Sequence, residues 1–522
     1  MSQTEAKRQK KRYTLFTGKQ LFWLIAPIVV ESIFSTSLGL FDSMMVSGID
    51  QAGNAGNAVA NVDQINNLII QLFSAFCTGG AIITSQFLGA RDTENANKSA
   101  KQMLVLVLMI SLGIGVVCLG LNGPLLSLIY GDVSAETFEY QRQYFYITAA
   151  SFPFIGLFNG CAALLRAQRK SMFTMVSAGI SCVVNIGLNA LFIWGCNMEV
   201  MGAALATFIA RVIPAAYMFI LLMNKKYAVH INLFEKFRFD GKMMKKILHL
   251  AIPSGIESCL FQLGKLMTNT FVNAACYVSY DPATGLGTNI QANGNSIANN
   301  VNNFASVVGS GVGTSCLTVV GQAIGTGDID QTKYYIKKMF IISYIANAVS
   351  VLAIMASAQW LVRLYSYPEE AYSIALRCLY LCLTFQLFTY PLSFTTPAIL
   401  KATSDVKYVM GAAISSMIIM RVGLCFVLTD DALSPLFENL FGRKLEIGAL
   451  GFWIAMCADW VVRSLLFVSR LLTGRWKKAS GLIAEEPRDR MSAYALSQRV
   501  RRGKKIEYAP YSRRHAKKYS AK

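Results

Sequence analysis

Twelve apolar runs, each long enough to cross a bilayer, constrain this chain more than any other feature. A spanning helix needs about 20 largely apolar residues. The runs lie near 19–47, 57–88, 99–123, 137–165, 172–195, 200–223, 246–275, 292–324, 336–359, 370–400, 406–429 and 446–472. Several hold Pro or Gly, which neighbouring helices accommodate in a membrane. Composition agrees: 54% of the 522 residues are hydrophobic and 15% charged, against about 25% charged in soluble domains, and mean hydropathy is +0.42. The reading is an all-α integral membrane protein.

The net charge of +20 does not point to nucleic acid, because the basic residues sit in alternate loops and at both ends. They occupy Arg91–Lys101, Arg166–Lys170, Lys225–Lys246, Lys333–Lys338 and Lys401–Lys407, while Asp132, Glu136, Glu139, Glu199, Asp281, Glu369, Glu370, Asp430 and Asp431 lie opposite. This is the positive-inside pattern, and with an even helix count it predicts both termini in the cytoplasm. The N-terminal MSQTEAKRQKKRYTLFTGK is polar and basic, and the run after it is too long for a signal-peptide core, so no cleavable leader is expected. The basic tail Arg475–Lys522 is expected to gather at anionic lipid head groups. Twelve scattered cysteines without a CxxC pair read as small buried hydrophobes. The three histidines form no ligand cluster, and no GxxxxGK[ST] nucleotide loop occurs. Gly309–Gly313 (GSGVG) lies inside an apolar run and reads as a site of close helix packing.

The chain repeats itself. APIVVES at Ala26–Ser32 matches IPSGIES at Ile252–Ser258, an offset of 226 that pairs Glu31 with Glu257. SQFLGARD at Ser85–Asp92 matches GQAIGTGD at Gly321–Asp328 with an offset of 236, and LRA at Leu165–Ala167 matches LKA at Leu400–Ala402 with 235. Each half holds six runs, so both begin on the same side and the repeat is parallel, which places substrate between the halves. The predicted organisation is a basic tail (1–18), a six-helix lobe (19–224), a linker (225–245), a second six-helix lobe (246–474) and a second basic tail (475–522).

The first run carries two carboxylates, Glu31 and Asp42, eleven residues apart and hence on nearly the same helical face. Charge inside a bilayer is expensive and marks a pathway or a partner. For Glu31 the expectation is a structural partner; for Asp42 it is function. Helix direction brings Asn185 and Asn189 of the fifth run and Thr207 of the sixth to the depth of Asp42, with Asp63, Asn66 and Asn67 of the second nearby. A carboxylate among amide and hydroxyl oxygens suits a hard monovalent cation or a proton; plain interhelical hydrogen bonding is the alternative for any single Asn. The repeat register adds Asn299, Asn302 and Asn303, and the seventh run adds Glu257 and Lys265, as candidate cavity residues. Lys265 either pairs with Glu257 or lines the cavity. Arg211, Arg421 and the Asp459/Arg463 couple read as packing pairs.

GLFDSMMVSGI, SQFLGARD, LLRAQ, NxxxNxxxI with GAALAT, VVGQAIGTGD and the closing GALGFWIAMCADWVVR…LLTGRWKK together resemble the multidrug and toxic compound extrusion (MATE) family. The likeness spans about Leu21 to Lys478. It implies two pseudo-symmetric six-helix bundles flanking a cavity, and export of organic cations and other amphiphiles against Na⁺ or H⁺. It also implies a cation-binding carboxylate at Asp42 assisted by Asn185 and Thr207. Three positions depart from the family pattern. NxxxD on the fifth helix has Asn189 as its second member, LRAxGD reads LRAQRK at Leu165–Lys170, and the acid found in some branches eight residues after the seventh-helix proline is Phe261. The second half retains Asp405 in its copy of the turn.

The expectation is a cofactor-free secondary antiporter, not an enzyme, since no HExxH or GxSxG motif stands in a suitable helix. It would be a multi-pass monomer of the bacterial inner membrane. Its partners would be an amphiphilic substrate, a monovalent cation (Na⁺ or H⁺) and lipid. A flippase for a lipid-linked or anionic amphiphile, built on a related fold, is the alternative.

Overall fold

The structure is a computed structural model that describes residues 15–47, 54–130, 134–232, 238–274, 279–280, 287–288, 290–365, 368–429 and 449–481. The first half comprises α1 (Gly18–Ser47), α2 (Asn54–Gly89), α3 (Thr93–Gly120), a short α4 (Asn122–Tyr130), α5 (Ala135–Ala150), α6 (Phe152–Ala167), α7 (Ser171–Asn189) and α8 (Glu199–Leu222). The second comprises α9 (Gly241–Ala274), α10 (Ile290–Gly325), α11 (Ile329–Val362), α12 (Glu369–Tyr390), α13 (Thr396–Ala402), α14 (Val406–Ser416), α15 (Leu424–Thr429), α16 (Ala449–Leu472) and α17 (Trp476–Ala479). A two-residue ladder, β1 (Ser279–Tyr280) with β2 (Gly287–Thr288), lies between α9 and α10.

Among the described residues eleven spans are long and apolar enough to cross a membrane, and α5 with α6, bent by 46°, makes a twelfth if counted as one span. The run expected as one helix over 137–165 is therefore broken at Ser151. Pro153 in the first turn of α6 has no N–H to continue the α5 ladder, and Ser151 N–H bonds Thr148 O at 3.1 Å instead. Three spans also contain π-helical turns: Ala190–Gly195 after α7, Pro391–Thr395 before α13 and Met417–Gly423 after α14. Such turns often lie at functional positions.

The sequence repeats acquire a structural meaning. In SQFLGARD and GQAIGTGD the helix ends on a left-handed residue, Arg91 (φ 60°) or Gly327 (φ 75°). The next residue, Asp92 or Asp328, then caps the following helix through Asn95 N (3.1 Å) or Asp330 N (2.9 Å). The second turn repeats likewise, with left-handed Arg169 (φ 65°) and Ser404 (φ 66°) 235 positions apart. All four turns lie on the face where α1 begins, here the basal face; the opposite one is the far face.

α2 and α10 are central, each packing on helices of both halves. They cross at their basal ends, where a Cβ on Gly89 would overlap the Gln322 carbonyl and one on Gly325 would overlap that of Gln86. The GSGVG stretch is a close-packing device, as expected: Gly309 admits the Tyr390 ring and Gly311 admits Val29 of α1. Large apolar side chains such as Met109, Val183, Ile345 and Leu465 stay exposed on outer helix faces, as a lipid-facing surface requires. The eleven described cysteines are free, and nine of them are buried.

Candidate cation site and central cavity

Asp42 lies near the far end of α1 and is buried. Asn189, the last residue of α7, donates to its Oδ1 at 2.5 Å, and Thr207 of α8 donates to its Oδ2 at 3.2 Å. Asn189 Nδ2 also reaches Asn185 Oδ1 (3.3 Å), and Asn185 Nδ2 reaches Thr207 Oγ1 (3.3 Å). Asp42, Asn189, Asn185 and Thr207 thus close a ring of four hydrogen bonds across three helices. The i, i+4 spacing of the two Asn puts both on one face of α7. Among the described residues Asp42 has no ion pair; the nearby Arg211, read from sequence as a packing pair, donates to Ser151 Oγ (2.8 Å) at the α5–α6 break. A buried carboxylate without a cationic partner is costly, and the Asn189 Oδ1 beside it is buried without any hydrogen-bond partner. Carboxylate, amide and hydroxyl oxygens together provide for a hard monovalent cation or a proton.

Asp63 sits on α2, where Asn66 Nδ2 (3.3 Å) and Tyr144 OH (3.4 Å) donate to its Oδ1. Asn66 Oδ1 is buried and unpartnered, whereas Asn67 is exposed. The second-half asparagines do not form an equivalent group. Asn299 bonds back to Asn295 within α10, Asn302 accepts from the Cys382 thiol at 3.4 Å, and Asn303 is exposed. None of these six residues is among those lining the central cavity: Asp63 is bonded to Asn66 and Tyr144, and packing of α10 on α12 and α16 absorbs Asn299 and Asn302.

That cavity, of about 410 Å³, lies on the second half's side of the seam and is lined by α9, α10, α12–α13 and α16, with only Gln71 and Thr78 of α2 from the first half. Its wall includes Glu257, Phe261, Gln262, Lys265, Lys401 and Arg463. The two readings of Lys265 are now separated. Glu257 pairs with Lys401 (2.8 Å), and Lys265 is exposed into the cavity. Glu31 has a matching partner: Arg166 Nη2 reaches its Oε1 at 2.5 Å and Thr174 donates to its Oε2 at 2.6 Å. The ion pairs Glu31–Arg166 and Glu257–Lys401 are therefore copies of one another. The signal was present, since the LRA/LKA match aligns the two cations as surely as the first match aligns the two acids, but both cations were read as loop charges.

The basal turns are equally engaged. Gln322 Nε2 donates to Ala167 O (2.7 Å), and its counterpart Gln86 donates to Ala402 O (3.0 Å). Each half thus caps the other half's turn. Arg169 bonds Gln322 Oε1 (2.9 Å) and Leu15 O (3.0 Å) and stacks on Phe16 at 3.9 Å. Gln168 exchanges two 2.9 Å bonds with Val229 of the linker, and Arg470 grips Asp405. In this state the two halves are joined at the basal face.

The MatE family model matches residues 27–191 and 283–427. An uncharacterized transporter, YisQ, of Bacillus subtilis is 28% identical over 87% of this chain and 94% of its own length. A probable multidrug resistance protein, NorM, of Thermotoga maritima is 21% identical over 92% and 99%. A solved outward-facing multidrug resistance transporter of the MOP superfamily superimposes with a TM-score of 0.75 at 21% identity, covering 90% of this chain and 97% of that one.

Proposed function

This chain belongs to the MatE family of multidrug efflux transporters, and on that premise we propose that it is a secondary antiporter exchanging an amphiphilic substrate for Na⁺ or H⁺. The six-helix lobes, 19–224 and 246–474, joined by the linker 225–245, rock about the central cavity of a monomer in the bacterial inner membrane. The basal face, with both termini, is cytoplasmic, consistent with the alternating basic loops. A cation or proton on Asp42, assisted by Asn185, Asn189 and Thr207, stabilises one arrangement of the lobes, and substrate stabilises the other. Coupling requires only that the two ligands prefer different states. Opening toward the cytoplasm breaks the Gln86 and Gln322 caps and separates the α2–α10 crossing. The family match favours export over a flippase.

The observation that carries this reading is the hydrogen-bonded ring on an acid that forms no ion pair among the described residues. The test is efflux from proteoliposomes with a Na⁺ or pH gradient imposed separately. Wild type exports when one gradient is present, and Asp42→Asn falls to background. Wild-type export by Asp42→Asn would overturn the assignment.

A further inference from the structure

Behind Phe261, the second half gathers three cations. Lys265 Nζ, Arg463 Cζ and Arg421 Cζ lie 5.1, 5.0 and 5.3 Å from the centroid of that one ring. Among the described residues the only acid bonded to any of them is Asp459, which Arg463 Nη2 reaches at 2.6 Å and which also accepts from Ser416 at 2.7 Å. Arg421 is buried with Nε and Nη1 lacking any hydrogen-bond partner, and Arg463 Nε lacks one too. Lys265 has no carboxylate partner among the described residues, because Glu257 is held by Lys401. One carboxylate thus faces three cations, which leaves the cluster two positive charges in excess.

Phe261 satisfies part of that charge through its ring face, but it supplies no counter-ion. Unpaired buried charge is costly, and guanidinium and ammonium groups so placed are matched by carboxylate, sulfonate or phosphate oxygens. The cavity onto which Lys265, Phe261 and Arg463 open provides the rest of an amphiphile site. Tyr390 and Phe394 stack at 4.4 Å on its wall, with Leu317, Pro397 and Phe467 adjoining. Its size falls within the usual range for small-molecule pockets, roughly 300–1,000 Å³.

We propose that the central cavity is an anion-accepting site, with Lys265 and Arg463 receiving the acidic head of an amphiphile and the Tyr390/Phe394 wall receiving its apolar part. The inference rests on the transporter reading above and deepens it: the cargo of this chain includes anionic or zwitterionic amphiphiles. The acidic head belongs to a free amphiphile or to a phospholipid.

The test compares two probes of equal chain length, radiolabelled dodecanoate and dodecyltrimethylammonium, binding to the purified protein in phosphatidylcholine nanodiscs. Wild type binds dodecanoate at least tenfold more tightly than the cation. Lys265→Gln loses about tenfold for dodecanoate with no loss for the cation, and Lys265→Arg restores binding; equal melting temperatures of the three proteins establish that the fold is intact. Repeating the titration in phosphatidylglycerol nanodiscs separates the sources. Weakened dodecanoate binding there identifies the lipid head group as an occupant, and unchanged binding identifies the free amphiphile. Dodecanoate binding that is insensitive to Lys265→Gln, or no tighter than that of the cation, would overturn the proposal. Wild-type export by Asp42→Asn would overturn the transporter reading instead, since it is read on a different residue by a different assay.

Discussion

The two halves share a frame and differ in what they hold inside it. Each has an acid on its first helix paired with a cation from its fourth span, Glu31 with Arg166 and Glu257 with Lys401. Each has the same left-handed turns and the same glutamine cap on the other's turn. Two and three turns farther along the first helix of each half, the likeness stops. With the offset of 226, Asp42 answers to Thr268 and Lys265 to Gly39; with 235, Asn185 and Asn189 answer to Met420 and Leu424, and Arg421 to Ile186. Thr268 spends its hydroxyl on the Gly264 carbonyl at 3.0 Å. A duplicated scaffold thus carries an acidic interior in one half and a basic interior in the other, so the frame is separable from the function it positions.

Mutating the shared frame is the strongest way to break this comparison. Glu31→Gln leaves Arg166 facing a neutral amide, and stripping a buried pair of one partner costs about 3–5 kcal/mol. Glu257→Gln should cost less, because that pair borders the cavity, where water can reach Lys401. Thermal melting of both variants checks the order; equal losses would make the two pairs equally buried in effect. Next come Gly89→Ala and Gly325→Ala. Each inserts a methyl group into a backbone carbonyl of the opposite half, so each should shift the population about tenfold toward an open basal face, roughly 1.4 kcal/mol. Spin-label distances across that face measure it. An effect in one variant alone would show that the crossing is not symmetric.

Smaller effects sharpen the contrast in the interiors. Asn189→Asp places a second carboxylate beside Asp42 and should tighten cation binding several-fold, read by Na⁺ or proton titration of the purified protein. The mildest change concerns the turns. A left-handed non-glycine residue costs about 1–2 kcal/mol, and Ser404→Gly sets that relief against the lost Gln86 Nε2 bond to its Oγ (3.3 Å), so it should lie within about 1 kcal/mol of wild type. Arg169→Gly should be the more destabilising of the two despite the same relief, because it forfeits the bonds to Gln322 and Leu15 O and the stack on Phe16.

Much of this was legible in the chain. Run lengths gave the spans and motif offsets gave the duplication. Counting depth along alternating helices brought Asp42, Asn185, Asn189 and Thr207 to one level, where the structure joins them. Spacing within a helix fixes which residues share a face, but not which neighbour that face meets. For that reason Asn66 was placed near Asp63 correctly, while Asn67 and Asn303 are exposed and Asn302 is absorbed by Cys382. The same limit hid Arg166 and Lys401, which sit in the last turns of α6 and α13 and reach Glu31 and Glu257 from other helices. Phe261 was noted only as a missing acid, and its role as the ring shared by three cations depends on the packing of α9 against α14 and α16. The tails 1–18 and 475–522 lie largely outside the described residues.

The division between an acidic and a basic interior is tested most directly by cation binding itself. Na⁺ binding and proton uptake, measured on purified wild type, Asp42→Asn and Lys265→Gln, should show the cation signal lost in Asp42→Asn and retained in Lys265→Gln. An Asp42→Asn protein that still took up the coupling cation with wild-type affinity would contradict the account.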